Sequence, residues 1–289
     1  MCDPAGCLAI AAHRFAAHAD TIFVRRSLIN RVPEVTLYFW VIKVCATTVG
    51  ETASDYLSDT RGLGLPRTMA LMGSALVLLL CAQFALRRYV PAVYWAAIVL
   101  VSVVGTNITD QLHDGFGVSN VVIAPLFAAC LAATFAAWYA TQRTLSIHTI
   151  FTAERERFYW LAVLFTFALG TAAGDLFAES LNLGYWLSAA IFATAITAIY
   201  GAHRRFRLDP VLAFWLAYIL SRPLGASMGD GMAQKDLDGL GLGTTSTSLV
   251  FLALIAAVVA FLSLTRVDRA VTIVVVPDSE DREELRSAA

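Results

Sequence analysis

Long apolar runs separated by short polar segments dominate the pattern of this chain. Eight runs have about the length, roughly 20 residues, that a helix needs to cross the ~30 Å hydrocarbon core of a bilayer. They lie at approximately 35–54, 69–86, 91–109, 118–140, 158–177, 184–202, 210–229 and 245–265. The pattern predicts an all-α integral membrane protein with eight transmembrane helices, in contact with the lipid bilayer.

A fourfold repeat runs through these segments. Each copy has a tryptophan, a glycine ten residues later and an aspartate five residues after that, which gives the pattern W-x9-G-x4-D. The four sets are Trp40, Gly50 and Asp55; Trp95, Gly105 and Asp110; Trp160, Gly170 and Asp175; and Trp215, Gly225 and Asp230. An aromatic residue precedes each tryptophan, and successive copies are 55, 65 and 55 residues apart. Such periods indicate repeated supersecondary units.

Each repeat supplies a first helix with the motif and a plainer second helix. Because every repeat contains two spans, the four first helices are parallel, and a pseudo-symmetry axis is expected along the membrane normal. The predicted organisation is a lead-in at 1–32, repeats at 33–88, 89–145, 154–207 and 208–268, and a polar tail at 269–289. Pro33, Pro91 and Pro210 suit the starts of three first helices.

Composition and motifs narrow the class of protein. Hydrophobic residues make up 58% of the 289 residues and charged residues 15%, against roughly 25% charged in soluble domains. A net charge of −1 gives no reason to expect a nucleic-acid partner. The sequence contains no P-loop and no H-E-x-x-H motif, and no pair of nucleophile and general base is evident, so we expect neither an ATP-driven pump nor an enzyme.

Basic residues predict the orientation. Arginines follow the second helices at Arg87, Arg88, Arg143, Arg204, Arg205, Arg207 and Arg266. The positive-inside rule then places these loops and both termini in the cytoplasm of a bacterium, with the protein in its inner (plasma) membrane. The N-terminal region carries scattered charges and does not have the pattern of a cleavable signal peptide.

The four motif aspartates are the main candidates for chemistry. Parallel first helices would bring Asp55, Asp110, Asp175 and Asp230 to one depth at the outer end, where a carboxylate ring selects cations. A second acid follows at Asp59, Asp114 and Glu179, and His113 could add a nitrogen ligand at this outer mouth. Glu51 and Asn107 would form a deeper ion site. Oxygen ligands of this kind suit hard divalent cations.

Two basic residues within the apolar runs are further candidates, and each candidate also has a structural interpretation. Lys43 and Arg222 lie within apolar runs and are candidate coupling groups or counter-charges for Glu51 or an aspartate. Bland alternatives exist: the tryptophans as membrane-interface anchors, the glycines as helix-packing positions, the aspartates as loop acids and the two cations as structural ion-pair or snorkelling residues.

The repeat resembles that of a bacterial family of uncharacterised multi-pass membrane proteins. Members have four tandem repeats, each with two transmembrane segments and a characteristic tryptophan. The matching residues here are Trp40, Trp95, Trp160 and Trp215, in runs such as VPEVTLYFWVIK and FALGTAAGDLF, and the resemblance covers about 33–266. It implies the four-repeat topology and assigns no catalytic residue.

The favoured hypothesis is a secondary transporter of a divalent metal cation such as manganese. The cation would be the substrate, and no cofactor is expected. Two alternatives stay open: a non-catalytic membrane scaffold or sensor, in which the motif serves only helix packing, and a transporter of a small organic solute that uses Lys43 or Arg222 for an anionic group. A homo-oligomer is compatible with each of these three functions.

Overall fold

The computed structural model describes residues 27–28, 30–86, 88–268 and 273–274. Most of the expected lead-in and polar tail lies outside these residues. The described part contains eight long helices: α1 Leu37–Asp55, α2 Leu65–Ala85, α3 Pro91–Asp110, α4 Asn120–Gln142, α5 Ala153–Asp175, α6 Tyr185–Phe206, α7 Pro210–Ala233 and α8 Thr244–Thr265. The four repeats therefore supply two helices each.

One short ladder departs from the all-helical prediction. Strand β1, Ser27–Leu28, pairs antiparallel with β2, Ile273–Val274, in the register Ser27 to Val274 and Leu28 to Ile273. Two-residue strands are too short for the alternating pattern by which strands are predicted.

Seven of the eight long helices in the described residues, α2 to α8, are long and apolar enough to cross a membrane. Helix α1 falls outside this group because it carries Lys43, Glu51 and Asp55 within 19 residues. The prediction of eight apolar spans thus holds for seven helices, and α1 is a helix with polar positions facing its neighbours.

Of the three first-helix starts predicted from prolines, two are confirmed. Helix α3 begins at Pro91, and α7 begins at Pro210, where the Asp209 carboxylate accepts a hydrogen bond from Leu212 N at 2.9 Å. Helix α1 begins at Leu37 rather than near Pro33, since the Thr36 hydroxyl caps it by accepting from Phe39 N. Capping by a side-chain oxygen satisfies a helix N–H that would otherwise lack a partner.

The four first helices form a closed ring. Helix α1 packs against α3, α3 against α5, α5 against α7, and α7 against α1. Each second helix packs against the first helix of the following repeat: α2 on α3, α4 on α5, α6 on α7 and α8 on α1. The repeats therefore interlock around a common axis.

Burial separates the two kinds of helix. The first helices are largely enclosed, whereas the second helices present large apolar side chains outward, such as Leu78 at 72% and Leu249 at 62% exposure. Exposed apolar area on this scale is typical of a surface that contacts lipid or another apolar partner.

The motif glycines lie where neighbouring first helices touch. A Cβ on each would overlap a side chain of the next helix in the ring: Gly50 with Ser102, Gly105 with Phe167, Gly170 with Arg222 and Gly225 with Thr47. All four partners stand seven residues after their own tryptophan. The contact is therefore one packing solution used four times, with glycine permitting the close approach.

Candidate functional site

The tryptophan ends of the first helices form a closed aromatic cluster. The aromatic residue before each tryptophan contacts the tryptophan of the next repeat, with ring centroids 5.5 Å apart for Phe39–Trp95, 5.6 Å for Tyr94–Trp160, 6.3 Å for Tyr159–Trp215 and 5.9 Å for Phe214–Trp40. Trp95, Trp160 and Trp215 are buried. Interface anchoring is therefore wrong for these three, which pack between helices, while Trp40 is half-buried.

Equivalent positions of the four first helices lie at equal depth in the ring, because the helices are parallel copies of one unit. They form successive layers from the aromatic end: Lys43, Ile98, Val163 and Tyr218; Thr47, Ser102, Phe167 and Arg222; Glu51, Thr106, Thr171 and Ala226; the four motif aspartates; then Asp59, Asp114, Glu179 and Gln234. Polar groups thus concentrate toward the aspartate end.

A cavity of about 440 Å³ occupies that end. Its lining includes eight carboxylates: Glu51, Asp55, Asp59, Asp110, Asp114, Asp175, Glu179 and Asp230. Ser58, Leu65, His113, Tyr185 and Gln234 complete the lining. The four motif aspartates and all three second acids predicted from the sequence therefore meet in one concave site.

Local helix geometry positions the second acids. After Asp55, Asp110 and Asp175, the first helices continue as one π-helical turn of five residues each: Tyr56–Thr60, Gln111–Gly115 and Leu176–Ser180. Such turns are often found at functional sites. In the fourth repeat, α7 ends at Ala233, and the Gln234 side-chain amide donates to Asp55 Oδ2 at 3.2 Å. An amide thus replaces the fourth acid and contacts a carboxylate without adding charge.

A buried ion pair forms the floor of the cavity. Arg222 Nη2 lies 2.9 Å from Glu51 Oε2. The same nitrogen donates to Thr171 Oγ1 at 2.7 Å and to Thr106 Oγ1, and Nη1 donates to the Thr47 carbonyl at 3.2 Å. Arg222 is fully enclosed and Glu51 is 5% exposed. Of the two candidate counter-charges, Arg222 is therefore the one that contacts Glu51.

Three of the carboxylates are close enough to share a cation. Oxygens of Glu51, Asp175 and Asp230 all lie within 4.8 Å of one another. Oxygen–metal distances of about 2.1–2.5 Å place opposite ligands roughly 4–5 Å apart, so the spacing fits one divalent ion. Among the described residues, the Asp175 and Asp230 side chains have no hydrogen-bond or salt-bridge partner.

Asn107 lies behind the cavity wall. Its Nδ2 donates to Ser54 Oγ at 2.5 Å, and the Ser54 hydroxyl donates to Asp110 Oδ2 at 3.4 Å. Asn107 is not part of the lining and therefore supports Asp110 through Ser54, instead of joining Glu51 in a deeper ion site. Neither Ser54 nor Tyr185, which donates to Glu179 at 3.5 Å, was predicted from the sequence. The repeat pattern carries no signal for them.

A family model describing a Repeat of Unknown Function (DUF347) matches the chain four times. The matches cover residues 38–89, 93–144, 158–208 and 213–268, most of the sequence. The chain belongs to the DUF347 family. No curated protein and no solved structure matches it.

In this DUF347 protein, His113 and Lys43 have no equivalent histidine or lysine in the other three repeats. His113 lines the cavity with its Nδ1 against the Val118 carbonyl at 2.9 Å, which leaves its other ring nitrogen for the site. Lys43 does not line the cavity. Its Nζ lies 3.9 Å from the centroid of the Phe167 ring and 4.3 Å from that of Tyr218.

Proposed function

We propose that this DUF347 protein is a secondary transporter of a divalent metal cation, such as manganese, in the bacterial inner membrane. The observation that carries the proposal is the single cavity that gathers eight carboxylates above the buried Glu51–Arg222 pair. The transported ion is substrate, and the carboxylates bind it during its passage.

Electrostatics favour a cation in this cavity. The described lining contains eight carboxylates and no lysine or arginine. Like charges at close range repel, and the repulsion is strong where protein walls exclude water. A divalent cation relieves this repulsion, and carboxylate-lined openings also concentrate cations from solution.

The difference between the two ends of the helix ring supports transport rather than a static metal site. The cavity is open at the aspartate end, while the aromatic cluster fills the opposite end of the ring. Alternating access requires one end to be closed while the other admits substrate, with the site at the repeat interface. Arg222 supplies a tethered positive charge for Glu51, and an arriving cation competes with it.

Topology is part of the proposal. Seven apolar helices and the exposed apolar side chains of the second helices support insertion in a bilayer. The second helices end beside Arg143, Arg204, Arg205, Arg207 and Arg266, at the aromatic end of the ring. The positive-inside rule places that end and both termini in the cytoplasm, so the cavity faces outward.

An anionic organic solute fits the same cavity poorly. Its negative group would meet eight carboxylates, while Arg222 is engaged by Glu51 and Lys43 lies outside the lining. A scaffold role would not require carboxylates to converge on a cavity, because such convergence destabilises the fold unless protons or cations are bound.

The test combines binding and transport by the full-length protein. In detergent, Mn²⁺ should stabilise the wild type saturably against thermal unfolding, with Mg²⁺, Ca²⁺, Co²⁺ and Zn²⁺ as comparisons. Asp175→Asn and Asp230→Asn should each weaken Mn²⁺ binding by about tenfold or more, or about 1.4 kcal/mol. The same variants should lose Mn²⁺ uptake in proteoliposomes.

Asp236→Asn is the matched control, because Asp236 is an exposed acid near the same end but outside the lining. This variant should bind and transport like the wild type. Wild-type affinity and uptake in both cavity variants would contradict the proposed function, as would the absence of stabilisation by every ion tested.

A further inference from the structure

Lys43 is a buried lysine with no anionic partner among the described residues. It is fully enclosed, and its Nζ has no hydrogen-bond partner among the described residues. Its contacts are the faces of Phe167 and Tyr218. Cation–π contacts stabilise an ammonium modestly, whereas burying an isolated charge costs far more.

The ionisable groups around Lys43 give it no compensating charge. Helix α7 contributes Tyr218 in the same layer and Arg222 in the next layer toward the cavity. Tyr94 of α3 and Tyr159 of α5 lie in the aromatic layer on the other side, and their hydroxyl groups are hydrogen-bonded to each other. Helix α8, which also packs on α1, has no ionisable side chain. The nearest carboxylate along α1, that of Glu51, is paired with Arg222.

Buried polar atoms in the Lys43 layer and in the next layer toward the cavity lack a hydrogen-bond partner among the described residues. Besides Lys43 Nζ, the described residues leave Tyr218 Oη, Ser102 Oγ and Arg222 Nε without a hydrogen bond. All four belong to the two axial layers between the aromatic cluster and Glu51. Buried polar atoms are nearly always hydrogen-bonded, and an ordered water is the usual partner where protein atoms supply none.

We infer that Lys43 is the proton-carrying residue that couples cation movement to proton movement in the opposite direction. This inference rests on the proposed function. It identifies the coupling ion as the proton and Lys43 as the residue that carries it. The carboxylate cavity alone identifies neither.

The coupling follows from the order of the layers. Arg222 keeps its charge under all relevant conditions and stands about 6 Å along the axis from Lys43 at helical rise. When a metal cation binds Glu51, Arg222 loses its anion and its charge is left facing Lys43. Two neighbouring buried cations without a carboxylate repel, so the Lys43 ammonium releases one proton to water and becomes an amine.

The reverse step restores the starting state. When the cation leaves, Glu51 binds Arg222 again and the Arg222 charge is neutralised. The Lys43 amine then takes one proton from water on the side to which the axis opens. Metal cation and proton therefore occupy the transporter alternately, which defines an exchanger.

The experiment uses proteoliposomes loaded with an acidic buffer and diluted into a neutral one. An exchanger accumulates Mn²⁺ inside as protons leave, and collapse of the pH gradient abolishes this accumulation. Lys43→Met removes the proton carrier with little change of volume and should lose the gradient-driven accumulation. It should retain exchange of external radioactive Mn²⁺ for internal Mn²⁺, because that exchange needs no net proton movement.

Ile98→Met is the matched control, since Ile98 is the fully buried residue at the same position of the second repeat. It should keep gradient-driven accumulation. Lys43→Gln repeats the test with a polar neutral side chain if the methionine variant cannot be purified folded. For the wild type, Mn²⁺ binding in weak buffer should release one proton more than for either Lys43 variant.

The outcomes separate the two proposals. Gradient-driven accumulation at the wild-type rate in a folded Lys43 variant would overturn the role of Lys43 while leaving metal transport in place. Wild-type Mn²⁺ transport that ignores the pH gradient would do the same. A wild type that transports no metal at all would contradict the proposed function itself.

Discussion

Arg222 has the most constrained side chain of the site. The Arg222 side chain passes beside Gly170, and a Cβ added to Gly170 would overlap the Cβ and Cγ of Arg222. The Arg222 guanidinium donates to Glu51 and to the hydroxyls of Thr106 and Thr171. A buried ion pair gains little net stability, yet removing one partner leaves an uncompensated charge. Glu51 therefore compensates the charge of Arg222, in addition to its proposed role as a cation ligand.

At this scale we expect Glu51→Gln to lower the free energy of unfolding by about 3–5 kcal/mol, the usual effect of breaking a buried pair. Arg222→Gln should be similarly harmful, while the double variant should lose clearly less than the sum. Thermal unfolding in detergent, analysed as a double-mutant cycle, measures the coupling. Strict additivity would mean that the pair does not interact.

The first helix is built to do two tasks at the element scale. Its glycine allows close packing in the middle, and the π-helical turn beyond its aspartate carries the second acid into the cavity in three repeats. The fourth helix lacks this turn and supplies Gln234. One helix design thus yields an asymmetric site.

Gly170→Ala tests the packing at this scale. The added Cβ would meet the Arg222 side chain and lie 3.1 Å from Pro223 Cδ, so we expect a loss of about 1–3 kcal/mol, as for other overpacked positions, together with weaker Mn²⁺ binding. Gly201→Ala in α6 is the control, because its Cβ would meet nothing within 4 Å. Equal melting temperatures of the two variants would contradict close packing at Gly170.

At the scale of the whole molecule, the eight long helices of the described residues form a closed ring of interlocked repeats. Helix α8 of the last repeat packs on α1 of the first, so the ring closes only when all four repeats are present. The cavity lies at one end of the ring and the aromatic cluster at the other. In the proposed membrane orientation, these ends face opposite sides of the bilayer.

Cysteine labelling tests this orientation. In a cysteine-free background, Phe116→Cys, 71% exposed at the cavity end, should react with a membrane-impermeant maleimide on intact spheroplasts. Phe206→Cys, 79% exposed at the opposite end, should react only after permeabilisation. Reversed labelling would place the cavity in the cytoplasm, and labelling of both from outside would exclude the proposed topology.

The sequence by itself determined the helices, the four repeats and the identity of the conspicuous residues. Apolar length and spacing are local properties, so Pro91 and Pro210 mark helix starts, and Trp, Gly and Asp recur where each first helix repeats. The same spacing brought all four motif aspartates to one end, because parallel copies of one helix carry equivalent residues at equal depth.

Only the tertiary structure decided which residues touch. Nothing in the spacing shows that second helices pack on the following repeat, that Arg222 rather than Lys43 reaches Glu51, or that Asn107 lies behind Ser54. Such contacts depend on the rotation and order of helices around the axis. These are set by long-range packing at glycine and aromatic positions, which connects residues far apart in the chain.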